Sequence, residues 1–189
     1  MLVFFDHSSE ILKSHFNIFF DLNKSNTNFL PLSGKSYAKT IFCNENGYQS
    51  IYKSDRYGFN NPDDEWDSSQ VQWLTTGDSF AHGYSVQPGE DIAGQIRSIT
   101  NSTVINLGIP GNGPLKELAV LKEYAESLRP KNVLWVYYED NDLNKDIQEE
   151  RQKPLLLKYL QDNFSQNLMI RQQEVDIKLQ EYIIKSKEK

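Results

Sequence analysis

The chain has 189 residues, a length that suits one well-buried domain with a small additional lobe. Hydrophobic residues make up 38% of the chain and charged residues 24%, a balance typical of a folded domain that excludes a disordered one. The net charge of −6 argues against nucleic acid and against an anionic membrane surface as partners, since both require clustered Lys and Arg. The single cysteine, Cys43, excludes an internal disulfide.

Targeting and membrane segments are not predicted. The opening run Met1 to Asp6 is too short for the core of a signal peptide, and no basic residue precedes it. No stretch approaches the roughly 18 apolar residues that cross a bilayer. We therefore expect no transmembrane segment and, by default, a cytoplasmic protein.

Residues 1 to 68 form the first of two unlike parts, rich in Asn, Ser, Phe and Tyr and with little periodicity. The spacing of apolar residues from Glu10 to Phe20 predicts a short helix. Residues 47 to 59 predict a strand followed by a turn, and residues 60 to 64 predict a turn or linker. We expect an irregular, β-containing lobe over this part.

From residue 70 to residue 189 the pattern changes to alternating strands and helices. Apolar strands are predicted over 71–76, 103–107 and 132–138, with helices over 91–99 and 114–128. Continuous apolar strands joined through helices indicate a parallel sheet that is covered on both sides. A short helix is predicted over 155–160. The apolar stripe of a longer helix over 164–185 predicts docking on the sheet, with self-association as the alternative if the sheet is left uncovered.

Three strand ends carry the residues that suggest chemistry. They are Gly77-Asp78-Ser79, the glycine-rich segment 108–113, and Glu139-Asp140-Asn141-Asp142. In open α/β sheets, sites form at the carboxyl ends of the strands, so these loops are expected to lie side by side. A serine on a tight turn can act as a nucleophile, and the Gly111 amide and the Asn141 side chain can donate hydrogen bonds to an oxyanion.

Residues 73–83, 106–113 and 138–142 resemble, in this order, the first three sequence blocks of the SGNH (GDSL-like) hydrolases. The resemblance covers residues 70 to 150. It implies a three-layer, flavodoxin-like α/β fold and hydrolysis of ester (acyl) bonds, with no metal or organic cofactor. It also implies that Ser79 is the nucleophile and that Gly111 and Asn141 are oxyanion donors. The expected substrate is a small-molecule or acylated-glycan ester.

Two features depart from the family pattern. Asp140 stands where the third block usually has glycine. The last block, Asp-x-x-His, which supplies the general base, is absent, and no further strand is predicted after Asn144. We therefore expect an α/β domain that is incomplete in its C-terminal part, either truncated or naturally short. The alternative function is a catalytically incomplete SGNH-like binding module that lacks the base histidine.

Several neighbouring residues have simpler explanations. His82 lies three residues after Ser79 and would share a helical face with it as a substitute base, or else line the rim of the cleft. Asp78 is expected to bind loop backbone rather than act as a catalytic acid, and Asp142 is expected to be a helix N-cap. The glycines of segment 108–113 follow G-x-x-G-x-G, which does not match the dinucleotide-binding pattern.

Overall fold

The computed structural model describes residues 11–13, 29–41 and 48–187 of the chain. Its first sheet has three short strands, β1 (Ile11–Lys13), β2 (Lys39–Ile41) and β3 (Ile51–Lys53). β1 pairs parallel with β2, and β2 pairs antiparallel with β3. The helix predicted from Glu10 to Phe20 is therefore wrong over Ile11–Lys13, because a short apolar run fits either period and pairing with β2 decides the outcome. The remainder of that range lies outside the described residues, as does Cys43.

The second sheet is wholly parallel. Its strands are β4 (Trp73–Gly77), β5 (Val104–Asn106) and β6 (Asn132–Val136), in the spatial order β5-β4-β6. Thr75 of β4 lies opposite Asn106 of β5 and Leu134 of β6. Because all three strands run the same way, their carboxyl ends meet at one edge of the sheet. A mixed α/β fold with a parallel sheet is confirmed.

Helices connect and follow these strands. In chain order they are a 3-10 helix (Asp63–Asp67) before β4, α1 (Ser79–His82), α2 (Ile92–Thr100), α3 (Pro114–Val120) with its π-helical continuation Leu121–Ala125, a π-helical turn (Asp142–Asp146), α4 (Ile147–Glu150), α5 (Pro154–Lys158) and α6 (Gln172–Lys187). Of the helices that the structure describes, none is both long and apolar enough to traverse a bilayer.

One hydrophobic core joins the parallel sheet to the helices and to the segment that precedes the sheet. Leu74 and Ile105 are fully buried in it, together with Phe59 from the first part of the chain. Val175 and Leu179 of α6 belong to the same cluster. The C-terminal stripe is therefore part of the core, where Asp176 of α6 also accepts from the Ser36 amide (2.9 Å), and its docking on the sheet itself stays a prediction. The division of the chain near residue 68 stays a prediction.

The strand β6 is less covered than the sequence predicts. Val133, Leu134 and Trp135 are 51%, 37% and 47% exposed, so the expectation of a sheet covered on both sides is wrong for this strand. β6 is an edge strand, and no strand among the described residues pairs with its outer side, but β5 is an edge strand too and is fully buried, so edge position alone does not account for the exposure. Composition alone does not reveal whether such a neighbour exists.

The opposite edge of the sheet, at β5, is satisfied by side chains. The Val104 amide donates to Glu65 Oε2 (2.9 Å), and the Val104 carbonyl accepts from the guanidinium of Arg97. The Asn106 amide donates to Asn61 Oδ1 (2.8 Å), while Asn61 Nδ2 donates to the Asn106 carbonyl (2.9 Å). Asn61, in the stretch expected to be a turn or linker, is thus buried against the sheet.

Candidate active site

Ser79 begins α1, directly after the tight turn that Gly77 and Asp78 form at the end of β4. Gly77 ends the strand with a φ of +151°, and a Cβ atom at this residue would lie 2.5 Å from the Val136 carbonyl oxygen. Only glycine permits this approach of β6 to the turn. Asp78 is the N-cap of α1, where its Oδ1 accepts a hydrogen bond from the Phe80 amide (2.9 Å). The expectation that Asp78 binds loop backbone is confirmed.

The hydroxyl of Ser79 is half-buried at the start of α1. Its Oγ lies 3.5 Å from Asp78 Oδ2, a long and weak contact that leaves the hydroxyl able to turn toward a ligand. The sequence Gly-Asp-Ser therefore folds locally into a strand end, a cap and a presented hydroxyl. This arrangement suits a serine nucleophile and equally suits a serine that only begins a helix. The surrounding loops are what distinguish the two roles of Ser79.

The glycine-rich loop after β5 runs directly against this turn. The Ile109 amide donates to the Gly77 carbonyl (3.1 Å), which joins the end of β5 to the end of β4. A Cβ atom at Gly108 would lie 2.3 Å from the His82 amide nitrogen, so the loop packs against α1 without an intervening side chain. Gly111 has a φ of +78°, in the left-handed region that favours glycine.

Asn141 follows β6, and its side chain is held by a carboxylate. Asn141 Nδ2 donates to Asp146 Oδ2 (2.6 Å) and has no second acceptor among the described residues, although an amide nitrogen carries two N–H bonds. Asn141 Oδ1 is buried and has no hydrogen-bond partner there. The adjacent Asp140, which departs from the family pattern, is exposed.

Asp142 is not the helix N-cap that the sequence predicts. Asn141 occupies the N-cap position of the π-helical turn, and no side chain caps that turn. The Asp142 carboxylate instead folds back and accepts a hydrogen bond from the Tyr138 amide (2.7 Å). The tight backbone after β6 leaves this amide without a strand partner, and the carboxylate satisfies it.

A buried ion pair joins the loop after β5 to the helix after Asn141. Glu150 is 2% exposed and accepts hydrogen bonds from the amides of Gly113 (2.7 Å) and Leu115 (2.9 Å). Lys116 Nζ lies 3.6 Å from Glu150 Oε1 and donates to the Gly111 carbonyl (2.9 Å). Sequence reasoning missed both residues. The available signal was the Gly113-Pro114 helix start, which has no capping side chain of its own and therefore needs an external acceptor.

Three buried carboxyl groups lie near one another beneath these loops, on Asp78, Glu117 and Asp142. Burial is the main cause that raises the pKa of each, and the charges of Asp142, Glu150 and Asp78 also raise the pKa of Glu117, to about 8. Glu117 accepts a hydrogen bond from Trp135 Nε1 (2.6 Å), so β6 is tied to α3 through a carboxyl that is protonated at neutral pH.

His82 is turned into the interior. Its side chain is 2% exposed, and its Nε2 lies 3.2 Å from the hydroxyl of Tyr52 in β3. Burial lowers the pKa of His82 to about 3. An imidazole with so low a pKa is neutral but accepts a proton weakly, which disfavours it as a general base. His7 and His15 lie outside the described residues.

A separate cleft of about 620 Å³ opens near the start of α2. Its lining includes Tyr52, Asn60, Gly89, Gly94 and Arg97, and none of Ser79, Gly111 and Asn141. The Arg97 guanidinium is already engaged by Glu65, Asn61 and the Val104 carbonyl. No group of His, Cys, Asp and Glu within the described part of the chain is arranged to hold a metal ion.

No protein-family model matches the chain, and no curated protein or solved structure matches it either.

Proposed function

We propose that this chain is an SGNH-type hydrolase domain that attacks ester (acyl) bonds through the Ser79 hydroxyl. The observation that carries the proposal is the placement of Ser79, Gly111 and Asn141 on the loops that follow three neighbouring strands of one parallel sheet. In open α/β sheets, ligands bind outside the carboxyl ends of the strands, where loops diverge from a central strand. β4, which carries Ser79, is that central strand.

A flavodoxin-like fold is part of the same proposal. The order β5-β4-β6 matches the first three strands of the 2-1-3 order that defines this fold type. β5 and β6 flank β4 on opposite sides, and crossovers between parallel strands are almost always right-handed. This handedness would bring α2 and α3 to opposite faces of the sheet, which is the three-layer arrangement.

The proposed reaction needs no cofactor. Ser79 Oγ bonds to the carbonyl carbon of the ester while the carbonyl π electrons move onto its oxygen. The Gly111 amide and the free N–H of the Asn141 side chain donate hydrogen bonds to that oxygen in the tetrahedral intermediate. When the intermediate collapses, the bond to the alcohol oxygen breaks and the departing oxygen takes up a proton. Water then hydrolyses the acyl-serine.

The proton of the Ser79 hydroxyl passes to water or hydroxide in this scheme. The chain has no Asp-x-x-His block, and burial makes His82 a weak acceptor. Serine hydrolases that lack a triad member retain about 10³- to 10⁴-fold acceleration over water, from the oxyanion donors and binding alone. We therefore expect slow turnover that increases with hydroxide concentration.

An aromatic pair next to Ser79 suits the acyl group or sugar ring of a small-molecule or acylated-glycan ester. The rings of Phe80 and Tyr138 lie 5.0 Å apart between centroids and are both exposed. They belong to the loops that carry Ser79 and Asn141. Exposed aromatic faces provide apolar contact area for such groups.

The alternative is a binding module that keeps the cleft without turnover. The observation that favours it is the same missing base, together with the hydrogen bond that already occupies one N–H of Asn141. Such a module would retain the shape of the strand-end loops while Ser79 serves only to begin α1.

Labelling with a fluorophosphonate probe separates the two functions. In the proposed hydrolase, Ser79 Oγ displaces fluoride from phosphorus, so we expect covalent labelling of the folded wild-type chain and none of the Ser79→Ala variant. Ser98→Ala, which changes an exposed serine of α2, serves as the matched control and should label like the wild type. An unlabelled wild-type chain would reject the hydrolase and leave the binding module.

A further inference from the structure

The start of α3 and the loop before it are held by groups from a distant part of the chain. Gly113, the N-cap residue of α3, has no side chain to cap the helix. The Glu150 carboxylate takes this role from α4, because it accepts from the amides of Gly113, Leu115 and Lys116. A Cβ atom at Gly113 would lie 3.0 Å from Glu150 Oε2, so the glycine makes room for the carboxylate.

The cation of the pair acts on the other end of the loop. Lys116 is buried, and its Nζ reaches back to the Gly111 carbonyl at 2.9 Å. The Gly111 carbonyl is thereby fixed from one side, and the Gly113 amide is fixed from the other side by Glu150. Both contacts hold peptide planes that follow Gly111, and the Gly111 amide lies in the preceding plane, which is joined to them only through the φ and ψ angles of Gly111.

The carboxylate also links this loop to the segment that carries Asn141. Glu150 ends α4, which directly continues the π-helical turn that begins after Asn141. Within that turn Asp146 holds the Asn141 side chain, and a Cβ atom at Gly113 would lie only 2.6 Å from Asp146 Cβ. The two proposed oxyanion donors are therefore connected through the buried Glu150 and Lys116 and the partly buried Asp146.

We propose that Lys116 and Glu150 are positioning residues that form a clamp, which sets the Gly111 amide relative to Asn141 and Ser79. The inference rests on the proposed hydrolase function. Buried ion pairs contribute little net stability compared with apolar residues of similar size, so a role in geometry accounts better for this pair than a role in stability. Donors help a transition state only when they are held where the negative charge develops.

The test is the double variant Lys116→Met/Glu150→Gln in the full chain, which removes both charges with little change in size and leaves no unpaired ion. Its matched control is Lys122→Met/Glu149→Gln, because Lys122 Nζ makes the same kind of bond to the Gln161 carbonyl (2.7 Å) and Glu149 is exposed. Thermal unfolding verifies that each variant is folded.

Two measurements are made on each protein. The first is hydrogen exchange of the Gly113 and Leu115 amides, which we expect to be about tenfold faster or more in the clamp variant because their acceptor is weakened. The second is phosphonylation of Ser79 by the fluorophosphonate probe. We expect its limiting rate to fall about 10- to 100-fold, with the half-saturating probe concentration within about twofold, because transition-state rather than ground-state contacts are lost.

Unchanged exchange at Gly113 and Leu115 would overturn the clamp. So would faster exchange with an unchanged limiting rate in a chain whose wild type is labelled, since the loop would then be held without positioning a donor. If the wild-type chain is not labelled at all, the hydrolase function fails, and the exchange data alone decide whether Lys116 and Glu150 clamp the loop.

Discussion

Glu117 is a buried carboxyl whose two oxygens differ in their hydrogen bonding. Its Oε2 accepts from Trp135, whereas its Oε1 is buried and has no hydrogen-bond partner among the described residues. A charged carboxylate there would leave an oxygen unsolvated beside Asp78 and Asp142. These surroundings raise the pKa of Glu117, and its carboxyl therefore keeps its proton in the folded chain.

This residue predicts a pH dependence of stability. The pKa of Glu117 rises to about 8 on folding, so its stabilising contribution is present in full below the ordinary glutamate pKa and is lost as the pH rises through 8. We expect the free energy of unfolding to fall between pH 5 and pH 8, at up to about 1.4 kcal/mol per pH unit from this group. Glu117→Gln, whose amide oxygen can still accept from Trp135, should lose that part of the slope.

The measurement is urea unfolding of the wild type and the variant at pH 5, 6, 7 and 8. Asp78 and Asp142 have pKa values shifted in the same direction, so the difference between the two proteins isolates Glu117. Glu126→Gln changes an exposed glutamate just beyond the same helix and should retain the wild-type slope. Identical slopes in Glu117→Gln and the wild type would show that Glu117 is charged in the folded state.

Among the elements, β6 has both an open edge and exposed apolar side chains. Such strands pair readily with strands of other molecules, and a charge on the strand blocks that pairing. We expect Val133→Lys to reduce concentration-dependent self-association while changing the free energy of unfolding by less than about 0.5 kcal/mol, since Val133 is half exposed. Light scattering over a concentration series measures the association.

Ile177→Lys is the matched control for this change. Ile177 is 61% exposed on α6, so the substitution adds the same charge to the same kind of surface away from any strand edge. It should leave association unchanged. Equal effects of the two substitutions would mean that net charge, and not the edge of β6, controls association.

For the whole molecule, the contacts of Asp55 predict one unfolding unit across residue 68. Asp55 accepts hydrogen bonds from the amides of Tyr57 and Phe59, from Asn61 Nδ2 and from Trp66 Nε1. Asn61 in turn bonds to β5. The part before the sheet is thus tied to the sheet by buried polar contacts and by Phe59 in the shared core.

We therefore expect residues 29–41 and 48–68 to unfold together with the sheet in a single transition. Far-ultraviolet circular dichroism and tryptophan fluorescence, to which Trp66 and Trp73 contribute from the two sides of residue 68, should give coincident urea curves. Asn61→Ala should lower the common midpoint without splitting it. Two separate transitions in the wild type would establish independent domains instead.

Local signals in the sequence predict much of this molecule. The apolar run before Gly77 places β4 to within a residue or two, and Asp91 marks the start of α2 because its side chain accepts from the Gly94 amide. The three strand-end loops follow from the same pattern. Ser79, Gly111 and Asn141 lie on those loops, and their chemical roles stay predictions.

Features that depend on distant partners escape sequence reasoning. β1 forms because Ile11 pairs with Lys39 of β2. Glu150 caps α3 because its carboxylate accepts a hydrogen bond from the amide of Gly113, which is distant in sequence. The exposure of β6 depends on which distant segments pack against it. Each of these outcomes is decided by tertiary packing, which overrides local preference when apolar runs are short or polar groups must be satisfied.

The two edges of the parallel sheet differ in whether a further strand can pair with them. The outward amides and carbonyls of β5 already form hydrogen bonds with Asn61, Glu65 and Arg97. A further strand therefore cannot pair with β5. Within the described parallel sheet, β6 is the edge that can accept one. A strand that adds there in the parallel sense would end next to the Asn141 loop, so whatever extends this sheet would also lie beside Asn141.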